Sequence, residues 1–458
     1  MSLWRATWGN AAEKPNVVII FNDDQGYQDL GCFGSPDIKT PCIDQMAREG
    51  MRFTDFYVSA PVCSASRAAL MTGCYQQRVG VKGVFFPNRG QGGLDPKYVT
   101  IAETLKSVGY ATAMVGKWHL GDDLEFLPIN QGFDSYFGIP YSNDMHPAKN
   151  MKYADDCLFR EGQSLQTLKE AFAGELKNGS PRSLNQKVPL MRNTECIEFP
   201  ADQTTVTRRY ADEGIQFISQ SVNAGKPFFL YFANTMPHTP LHASPLFEGT
   251  SERGLYGDVI EEIDFNTGRI LDHLKHLGVE KNTLVILTSD NGPWLIKKEN
   301  GGSAFPLFEG KFTSFEGGCR VPCVMKWPTR IPAGTVCSEV ASTIDLHPTL
   351  ALLVGADLPE MELDGKDIIE LMTGKKGAKS PHEYFFMDHR GLSVRSGDWK
   401  YHKTKHFTTM KDVGDKTEPA LYNLKQDVGE AHNVIDKYPE VAARLANALE
   451  AHISRVGK

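Results

Sequence analysis

The sequence lacks three features that would place it in other large functional classes. It has no continuous apolar run of about 18 residues, so no segment is predicted to span a membrane. It has no basic excess: 49 lysines and arginines stand against 56 aspartates and glutamates, and a net charge of −7 argues against a general nucleic-acid binder. Residues 1–16 contain no apolar core of about 7–15 residues, which excludes a signal peptide there.

Closely spaced cysteine pairs of the Cys-x-x-Cys type are also absent, and no histidine spacing typical of zinc sites occurs. The chain has nine cysteines, an odd number that cannot pair completely, so at least one is predicted to be free, reactive or modified. Cysteines without a metal-binding pattern favour an oxidising compartment. The absence of a signal peptide leaves a cytosolic protein as one alternative, but the cysteines favour the other: we predict a secreted or periplasmic protein whose export signal is not part of this sequence.

Short apolar runs alternate with helical stretches along most of the 458 residues. Unbroken apolar runs are typical of strands buried on both faces of a sheet. They lie at Asn16–Phe21, Ala111–Val115, Pro227–Phe232, Thr283–Thr288 and Val321–Met325. Helical periodicity separates them, notably over residues 206–222 and 254–277. The alternation predicts an α/β fold, with a mixed and mostly parallel sheet sandwiched by helices.

The composition changes near Thr373, where residues 373–380 are polar and rich in glycine and lysine. Beyond them, short alternating segments predict a small antiparallel sheet, and a closing helix is predicted from Pro439 to about Val456. We predict a large catalytic domain over residues 14–372 and a small α+β domain over residues 381–458. The basic run 400–406 in the small domain is expected to be a solvated strand edge.

Polar side chains follow four of the predicted strands. Ligands of open α/β sheets bind at the carboxyl ends of strands, so these residues are the first functional candidates. They are Asp23, Asp24, Lys117, His119, His238, Asp290 and Asn291. Carboxylate and amide oxygens suit Ca²⁺ or Mg²⁺, and a cation would relieve the repulsion between three gathered carboxylates. Taken singly, each acidic cluster is more typical of a turn.

Residues 63–73 form a second candidate site. A short helix is predicted to begin at Cys63, and a helix N-terminus favours anions and thiolates. Arg67 lies one turn further along and is within reach of Cys63. The segment predicts an anion site or a reactive thiol, with a buried cysteine and a surface arginine as the structural alternative.

Together these segments resemble the signature of the formylglycine-dependent sulfatases, arylsulfatase-like members of the alkaline-phosphatase superfamily. Cys63-Ser-Ala-Ser-Arg67 is similar to the family motif Cys-x-Pro/Ala-x-Arg, whose cysteine is oxidised after translation to Cα-formylglycine. Ala65 stands where proline is commonest, which leaves open which maturation enzyme recognises the segment. Further landmarks follow in order at residues 22–24, 116–121, 138–142, 237–241, 289–292, 311 and 421–433.

The resemblance implies an alkaline-phosphatase-like fold, a sulfuric ester hydrolase activity and a set of residue roles. The implied ligands of a metal, usually Ca²⁺ and less often Mg²⁺, are Asp23, Asp24, Asp290, Asn291 and the residue derived from Cys63. The implied sulfate contacts are Ser142, Lys117, His238 and Lys311. His238 is implied as the general acid, and His119 as the base that regenerates the aldehyde from its hydrate. Arg67 is implied to support residue 63.

A sulfated poly- or oligosaccharide is the implied substrate, and a formylglycine-generating enzyme the implied maturation partner. Two other functions stay open: a phosphate or phosphonate monoester hydrolase, and a sulfated-glycan-binding protein without turnover. The negative net charge disfavours the binding protein. Residues 145–200 match no family landmark, and candidates for the substrate side are His146, His242, Arg390 and Trp294. If Cys63 is modified, eight cysteines remain, and their pairing stays open.

Overall fold

The computed structural model describes residues 14–177, 179–389, 391–403, 408–409 and 418–457. The strands are β1 (Asn16–Asn22), β2 (Met51–Tyr57), β3 (Ala111–Lys117), β4 (Ser135–Ile139), β5 (Tyr153–Phe159), β6 (Leu176–Lys177), β7 (Ser180–Pro181), β8 (Leu190–Arg192), β9 (Glu195–Phe199), β10 (Phe228–Ala233), β11 (Thr283–Ser289), β12 (Arg320–Lys326), β13 (Thr335–Cys337), β14 (Ala341–Ser342), β15 (Phe385–Asp388), β16 (Leu392–Ser396), β17 (Trp399–His402) and β18 (Ala420–Asn423). The helices are α1 (Pro41–Arg48), α2 (Cys63–Thr72), α3 (Ile101–Ser107), α4 (Leu165–Ala173), α5 (Gln203–Asn223), α6 (Leu255–His276), α7 (Glu316–Cys319), α8 (Leu346–Val354), α9 (Ile369–Met372) and α10 (Pro439–Val456).

A twelve-stranded sheet forms the centre of the molecule, in the order β13-β2-β12-β11-β1-β10-β3-β4-β8-β9-β5, with β14 beside β2. Its middle strands β11, β1, β10, β3 and β4 are parallel, whereas β12 and β8 run antiparallel to their neighbours. The predicted mixed, mostly parallel sheet is therefore confirmed. Because β1, β3, β10 and β11 are parallel, their carboxyl ends meet at one edge of the sheet.

Helices cover both faces of this sheet, as the unbroken apolar runs predict. Side chains of β1 alternate between two cores: Val17 and Ile19 pack on one face, and Val18 and Ile20 on the other. Helices α2, α3 and α8 contribute apolar side chains to the first core, and α1, α5 and α6 to the second. Burial on both faces explains why these strands show no polar alternation.

The four-stranded antiparallel sheet β15-β16-β17-β18 follows near the end of the chain, and α10 packs against it. The predicted small antiparallel sheet and closing helix are confirmed. The expected solvated edge is wrong for Lys400 and His402, which are fully buried. Strand β17 lies inside the small sheet, between β16 and β18. The side chain of Lys400 contacts Glu316 of α7, and that of His402 contacts Glu430, so neither faces solvent. Residues 404–406 of that basic run lie outside the described part of the chain.

A buried charge network holds the small sheet against the large one. Lys400 Nζ lies 2.9 Å from Glu316 Oε1 and 3.3 Å from Glu430 Oε1. His402 Nε2 lies 2.7 Å from the same Glu430 oxygen. Burial raises the pKa of Glu430 to about 7, and the charge of Glu316 adds to this effect. Burial also opposes ionisation of Glu316, but Lys400 and Arg320 outweigh it and lower its pKa to about 2.

This network predicts a pH-dependent part of the free energy of unfolding. A carboxyl whose pKa is raised in the folded state contributes stability below its unfolded pKa, which is lost as the pH rises through the folded value. The window for Glu430 runs from pH 4.5 to about 7. We expect the free energy of unfolding of the wild type, measured by urea unfolding, to decrease by an amount on the order of 2 kcal/mol between pH 5 and pH 8. Glu430→Gln should lack this decrease. The exposed Glu440→Gln is the control, and equal pH profiles for wild type and Glu430→Gln would contradict the prediction.

All nine cysteines are free thiols, so the structure assigns no disulfide. Cys157 and Cys196 lie on the neighbouring strands β5 and β9, and the Cys196 thiol donates to the Glu198 carbonyl oxygen at 3.3 Å. No helix among the described residues is long and apolar enough to cross a membrane.

Candidate active site

The carboxyl ends of β1, β3 and β11 bring three of the predicted polar clusters together. Asp24 and His119 adopt the left-handed backbone conformation, with φ of 63° and 64°. This conformation is uncommon for residues other than glycine and is often found at functional sites. Gly116 precedes the second cluster at φ 109°, and a Cβ there would lie 1.8 Å from the Ala233 carbonyl oxygen. Only glycine therefore lets β3 approach β10 this closely just before Lys117.

Arg67 is fully buried and joins three parts of the site. Its Nε and Nη2 lie 3.0 and 2.8 Å from Asp290 Oδ2, and its Nη1 donates to the Lys117 carbonyl oxygen at 2.8 Å. Nη2 also lies 3.9 Å from Asp23 Oδ1. The surface-arginine alternative is therefore wrong, since the guanidinium lies between the metal-type carboxylates.

Cys63 is the first residue of α2 and is buried beside Asp23, with its Sγ 3.5 Å from Oδ1. Burial raises the pKa of this thiol above its ordinary value, although Lys117 and Lys311 act in the opposite direction. The thiol is thus protonated at neutral pH, which is the reverse of what a helix N-terminus alone predicts. The geometry does not favour a thiolate nucleophile at this position.

Four oxygen or sulfur groups converge within 4.8 Å of one another: Asp23, Asp24, Asp290 and Cys63. Asn291 belongs to the same cluster, because its Nδ2 donates to Asp24 Oδ1 at 2.7 Å. Its Oδ1 is buried and has no hydrogen-bond partner among the described residues. An orphaned amide oxygen beside three carboxylates is the donor set that a hard divalent cation prefers. The residues therefore fit a Ca²⁺- or Mg²⁺-type site.

The electrostatics of the carboxylates show the strain that a cation would relieve. Burial and the charge of Asp23 raise the pKa of Asp290 to about 7. Burial acts on Asp23 in the same direction, but Lys117, His238 and Arg67 together hold its pKa below the ordinary range. Three carboxylates and three cations balance in charge, so a divalent ion would leave the site positive, which suits an anionic substrate.

Two lysines each contact a different carboxylate of the cluster. Lys117 Nζ lies 2.5 Å from Asp23 Oδ2 and 3.3 Å from Ser142 Oγ. Lys311 Nζ lies 2.7 Å from Asp24 Oδ1. Burial disfavours both ammonium charges, yet the neighbouring aspartates raise the pKa of each lysine above its ordinary value. Both side chains are therefore cationic within the buried site.

His238 faces the site through Nε2, which lies 3.7 Å from Asp24 Oδ2. Its Nδ1 lies 2.7 Å from the Thr239 carbonyl oxygen and 3.0 Å from Asn143 Oδ1. Two acceptors on Nδ1 assign the proton to that nitrogen and leave the Nε2 lone pair directed at the site. Burial and Lys311 lower the pKa of His238, whereas Asp24 raises it.

His119 has the opposite tautomer. Its Nε2 lies 3.0 Å from the Phe85 carbonyl oxygen, and this acceptor places the proton on Nε2. Its Nδ1 is buried without a hydrogen-bond partner in the described structure. Burial lowers the pKa of His119 well below its ordinary value, and Lys117 adds to the effect. His119 is therefore a neutral imidazole with a free acceptor nitrogen.

Two residues contact the site in ways that the sequence analysis did not predict. Asn143 orients His238 through both of its side-chain atoms, since its Nδ2 donates to the His238 carbonyl oxygen at 3.2 Å. The sequence signal that could have identified Asn143 as a site residue is its position directly after Ser142. Trp294 packs against the His238 ring with 5.3 Å between centroids, and the Lys311 ammonium lies 4.7 Å from its ring. Trp294, predicted as a substrate-side residue, thus packs against two residues of the site.

The predicted substrate-side residues separate from one another. His146 lines a cavity beside the site, whereas His242 lines a different cavity together with Gln203. Arg390 lies outside the described residues.

The fold and site define a class of protein: a large mixed α/β sheet that gathers a helix-borne cysteine, carboxylates, lysines and histidines at the carboxyl ends of its parallel strands. The sulfatase family model matches residues 15–356, and the model of the N-sulphoglucosamine sulphohydrolase C-terminal region matches residues 304–455. The chain belongs to the sulfatase family and hydrolyses sulfuric esters.

Individual relatives agree with this assignment. Arylsulfatase A from Bos taurus is 38% identical over 466 residues, covering 96% of this chain and 87% of that protein. N-acetylgalactosamine-6-sulfatase from Canis lupus familiaris is 37% identical over 401 residues, covering 86% of this chain and 72% of that protein. A crystal structure of Ps i-CgsB in complex with k-i-k-neocarrahexaose is similar with a TM-score of 0.78 and 31% identity, covering 96% and 92% of the two chains.

Proposed function

We propose that this sulfatase removes sulfate from a sulfated carbohydrate, with formylglycine formed from Cys63 and a divalent metal, Ca²⁺ before Mg²⁺, held beside it. The observation that carries the proposal is the convergence of the Cys63 position with three carboxylates within 4.8 Å, flanked by two buried lysines. The proposed metal ligands are Asp23, Asp24, Asp290, Asn291 and residue 63. The buried, protonated thiol supports modification of Cys63, because an unmodified thiol there is a poor nucleophile.

Oxidation of Cys63 would give an aldehyde, and addition of water to that aldehyde would supply the two hydroxyl groups that the thiol lacks. A divalent cation would supply positive charge that stabilises the nucleophile and the sulfate oxygens. The chain's own residues do the remaining work. Lys117 and Lys311 bind the sulfate oxygens as buried point charges, and Ser142 donates from beside Lys117. Arg67 holds Asp290 through two hydrogen bonds and supports residue 63 on the same helix.

The two histidines take complementary proton-transfer roles. His238 donates a proton to the leaving oxygen from Nε2 after that nitrogen has taken up a proton from solvent, while Asn143 and the Thr239 carbonyl hold its ring through Nδ1. The negative charge of a bound sulfate ester raises the pKa of His238 and opposes the effect of Lys311. His119, neutral with a free Nδ1, accepts the proton released when sulfate departs from residue 63.

The substrate class rests on relatives. One relative is named for N-acetylgalactosamine 6-sulfate, and one similar structure contains a bound neocarrahexaose. We extend this class to the present chain as sulfated oligo- or polysaccharide. The proposal also includes maturation by a formylglycine-generating enzyme, export to a secreted or periplasmic location, and division into a catalytic domain (14–372) and a C-terminal domain (381–458).

Release of inorganic sulfate from defined sulfated oligosaccharides tests the substrate class, with 4-nitrophenyl sulfate and 4-nitrophenyl phosphate run in parallel. We expect sulfate release from at least one oligosaccharide and slow phosphate release. Much faster hydrolysis of the phosphate ester than of any sulfate ester would contradict the proposal. An intact-protein mass that reflects replacement of CH₂SH by CHO would establish the modification.

His238→Ala tests the general-acid role through its dependence on the leaving group. We expect kcat/KM for a sugar sulfate to decrease by about 10²–10⁴, because an alkoxide leaves poorly without a proton. The loss for 4-nitrophenyl sulfate should be much smaller, because nitrophenolate is stable without protonation. His276→Ala, an exposed histidine on α6, is the control. Equal losses on both substrates would assign His238 a role other than proton donation.

A further inference from the structure

A cavity of about 590 Å³ opens beside the candidate active site. This volume lies within the range of about 300–1,000 Å³ that is typical of small-molecule sites. Its walls come from the loop containing Phe86 and Arg89, from residues 144–146, and from the hairpin β6–β7 with the turn that follows it. Most of this lining falls in residues 145–200, which match no family landmark in the sequence.

Two of the walls contain residues that directly follow, in the sequence, residues hydrogen-bonded to catalytic candidates. Phe86 follows Phe85, whose carbonyl oxygen accepts from His119 and whose N–H donates to Ser64 Oγ at 3.0 Å. Asp144 follows Asn143, which holds the His238 ring. Asp144 lines the cavity and is close enough to both His238 and His146 to act on them electrostatically, so the cavity wall adjoins the sulfate site. A substrate bound at the sulfate site would extend into this cavity.

The charge of the cavity is opposite to that of the chain. Arg89, Lys177 and Arg182 line it, against the single carboxylate of Asp144, although the whole chain carries a net charge of −7. No ion pair joins any of these three cations to a carboxylate in the part of the chain that the structure describes. Unpaired cations that converge on one concave surface attract and orient anions.

The remaining lining suits a carbohydrate. The Arg89 guanidinium lies 4.1 Å from the Phe86 ring centroid, which forms a flat cationic and apolar wall. His146 and Ser180 contact one another and present a polar edge. Asp144 contributes the carboxylate of the cavity wall, a group that accepts hydrogen bonds from sugar hydroxyls.

We propose that this cavity binds a second anionic group of the substrate, so that the enzyme selects a glycan with a further negative charge close to the scissile sulfate. The inference rests on the proposed action on sulfated carbohydrate. The second group is a uronate carboxylate or another sulfate ester, which share the chemistry that Arg89 and Arg182 recognise. Lys177 adds a positive point charge from the hairpin β6–β7.

Competitive inhibition of 4-nitrophenyl sulfate hydrolysis tests this inference without requiring turnover of the carbohydrate. Three disaccharides serve as probes: one with a sulfate and a uronate carboxylate, one with two sulfates, and the first with its carboxylate reduced to an alcohol. In the Arg89→Ala/Arg182→Ala double variant we expect Ki for the charged probes to rise about 10- to 100-fold relative to the KM of the aryl sulfate. Ki for the reduced probe should follow that KM.

Arg330→Ala is the matched control. This exposed arginine follows β12, which runs antiparallel to β11 and therefore ends on the side of the sheet away from the candidate active site. Arg182→Lys should recover part of the affinity. A larger effect on the carboxylate probe than on the disulfated probe would identify the uronate as the second anion, and the converse would identify a sulfate. Unchanged Ki values for both charged probes would overturn the inference. Sulfate release from the same probes is scored separately, and its absence would count against the proposed carbohydrate substrate alone.

Discussion

Replacing Cys63 by alanine is expected to lower kcat for sulfate-ester hydrolysis by about 10⁴-fold or more, the loss typical of removing a nucleophile. The side chain is only 2% exposed and lies 3.5 Å from Asp23, so its loss removes the nucleophile position without opening the surface. Binding of the sulfate by Lys117 and Lys311 should persist. Steady-state assays with 4-nitrophenyl sulfate, with inorganic sulfate as a binding probe, measure both effects.

Cys74→Ala is the matched control, because Cys74 is fully buried just beyond the same helix but lies outside the carboxylate cluster. It should retain near wild-type activity. Cys63→Ser separates formylglycine from a simple hydroxyl nucleophile: serine can accept the sulfate but has no second hydroxyl with which to expel it. We expect this variant to gain the mass of one bound sulfate and to stop turning over. Near-full activity in Cys63→Ala would contradict the formylglycine mechanism.

Removing divalent metal is expected to cause the second-largest loss, on the order of 10³-fold in kcat/KM. Without a cation, three carboxylates share one buried cluster, and the raised pKa of Asp290 shows their mutual repulsion. Chelation should therefore also lower the thermal unfolding temperature, and Ca²⁺ should restore both stability and activity. The measurements are activity, differential scanning calorimetry and metal content of the same sample.

Asp24→Asn should weaken metal retention and activity together, because Asp24 contacts both Lys311 and Asn291 within the cluster. Asp95→Asn is its control, because Asp95 is a half-exposed aspartate that does not belong to the carboxylate cluster. Restoration by Mg²⁺ but not by Ca²⁺ would reverse the expected ion. Full activity in a sample whose metal content lies far below one ion per chain would contradict the metal site.

The large sheet and the strand-end clusters were predictable because both depend on local pattern. Apolar runs such as residues 283–288 reflect burial on both faces, and polar residues directly after a parallel strand must lie at its carboxyl edge. The sequence therefore predicted which residues gather, including Lys311 and Ser142 through the family resemblance. The structure brings these residues together, while their individual catalytic roles stay predictions.

Contacts between segments distant in sequence were not predictable in this way. Lys400 lies in a basic run that is typical of a solvated strand edge. Its side chain is nevertheless buried and forms ion pairs with Glu316 and Glu430. A buried charge is stable only when its partners are positioned, and no local pattern reports partners that lie 84 residues away. The same limit explains why Arg67 could be taken for a surface residue.

The sequence by itself determined the enzyme class, because motif spacing records which side chains the chemistry needs. Tertiary structure decided the protonation states and the shape of the substrate side. The Cys63 thiol is kept protonated by burial, and the two histidines receive opposite tautomers from the carbonyl oxygens of Phe85 and Thr239. The cationic cavity likewise exists only because three separate segments fold against one another, and electrostatic interactions depend on distance in space rather than along the chain.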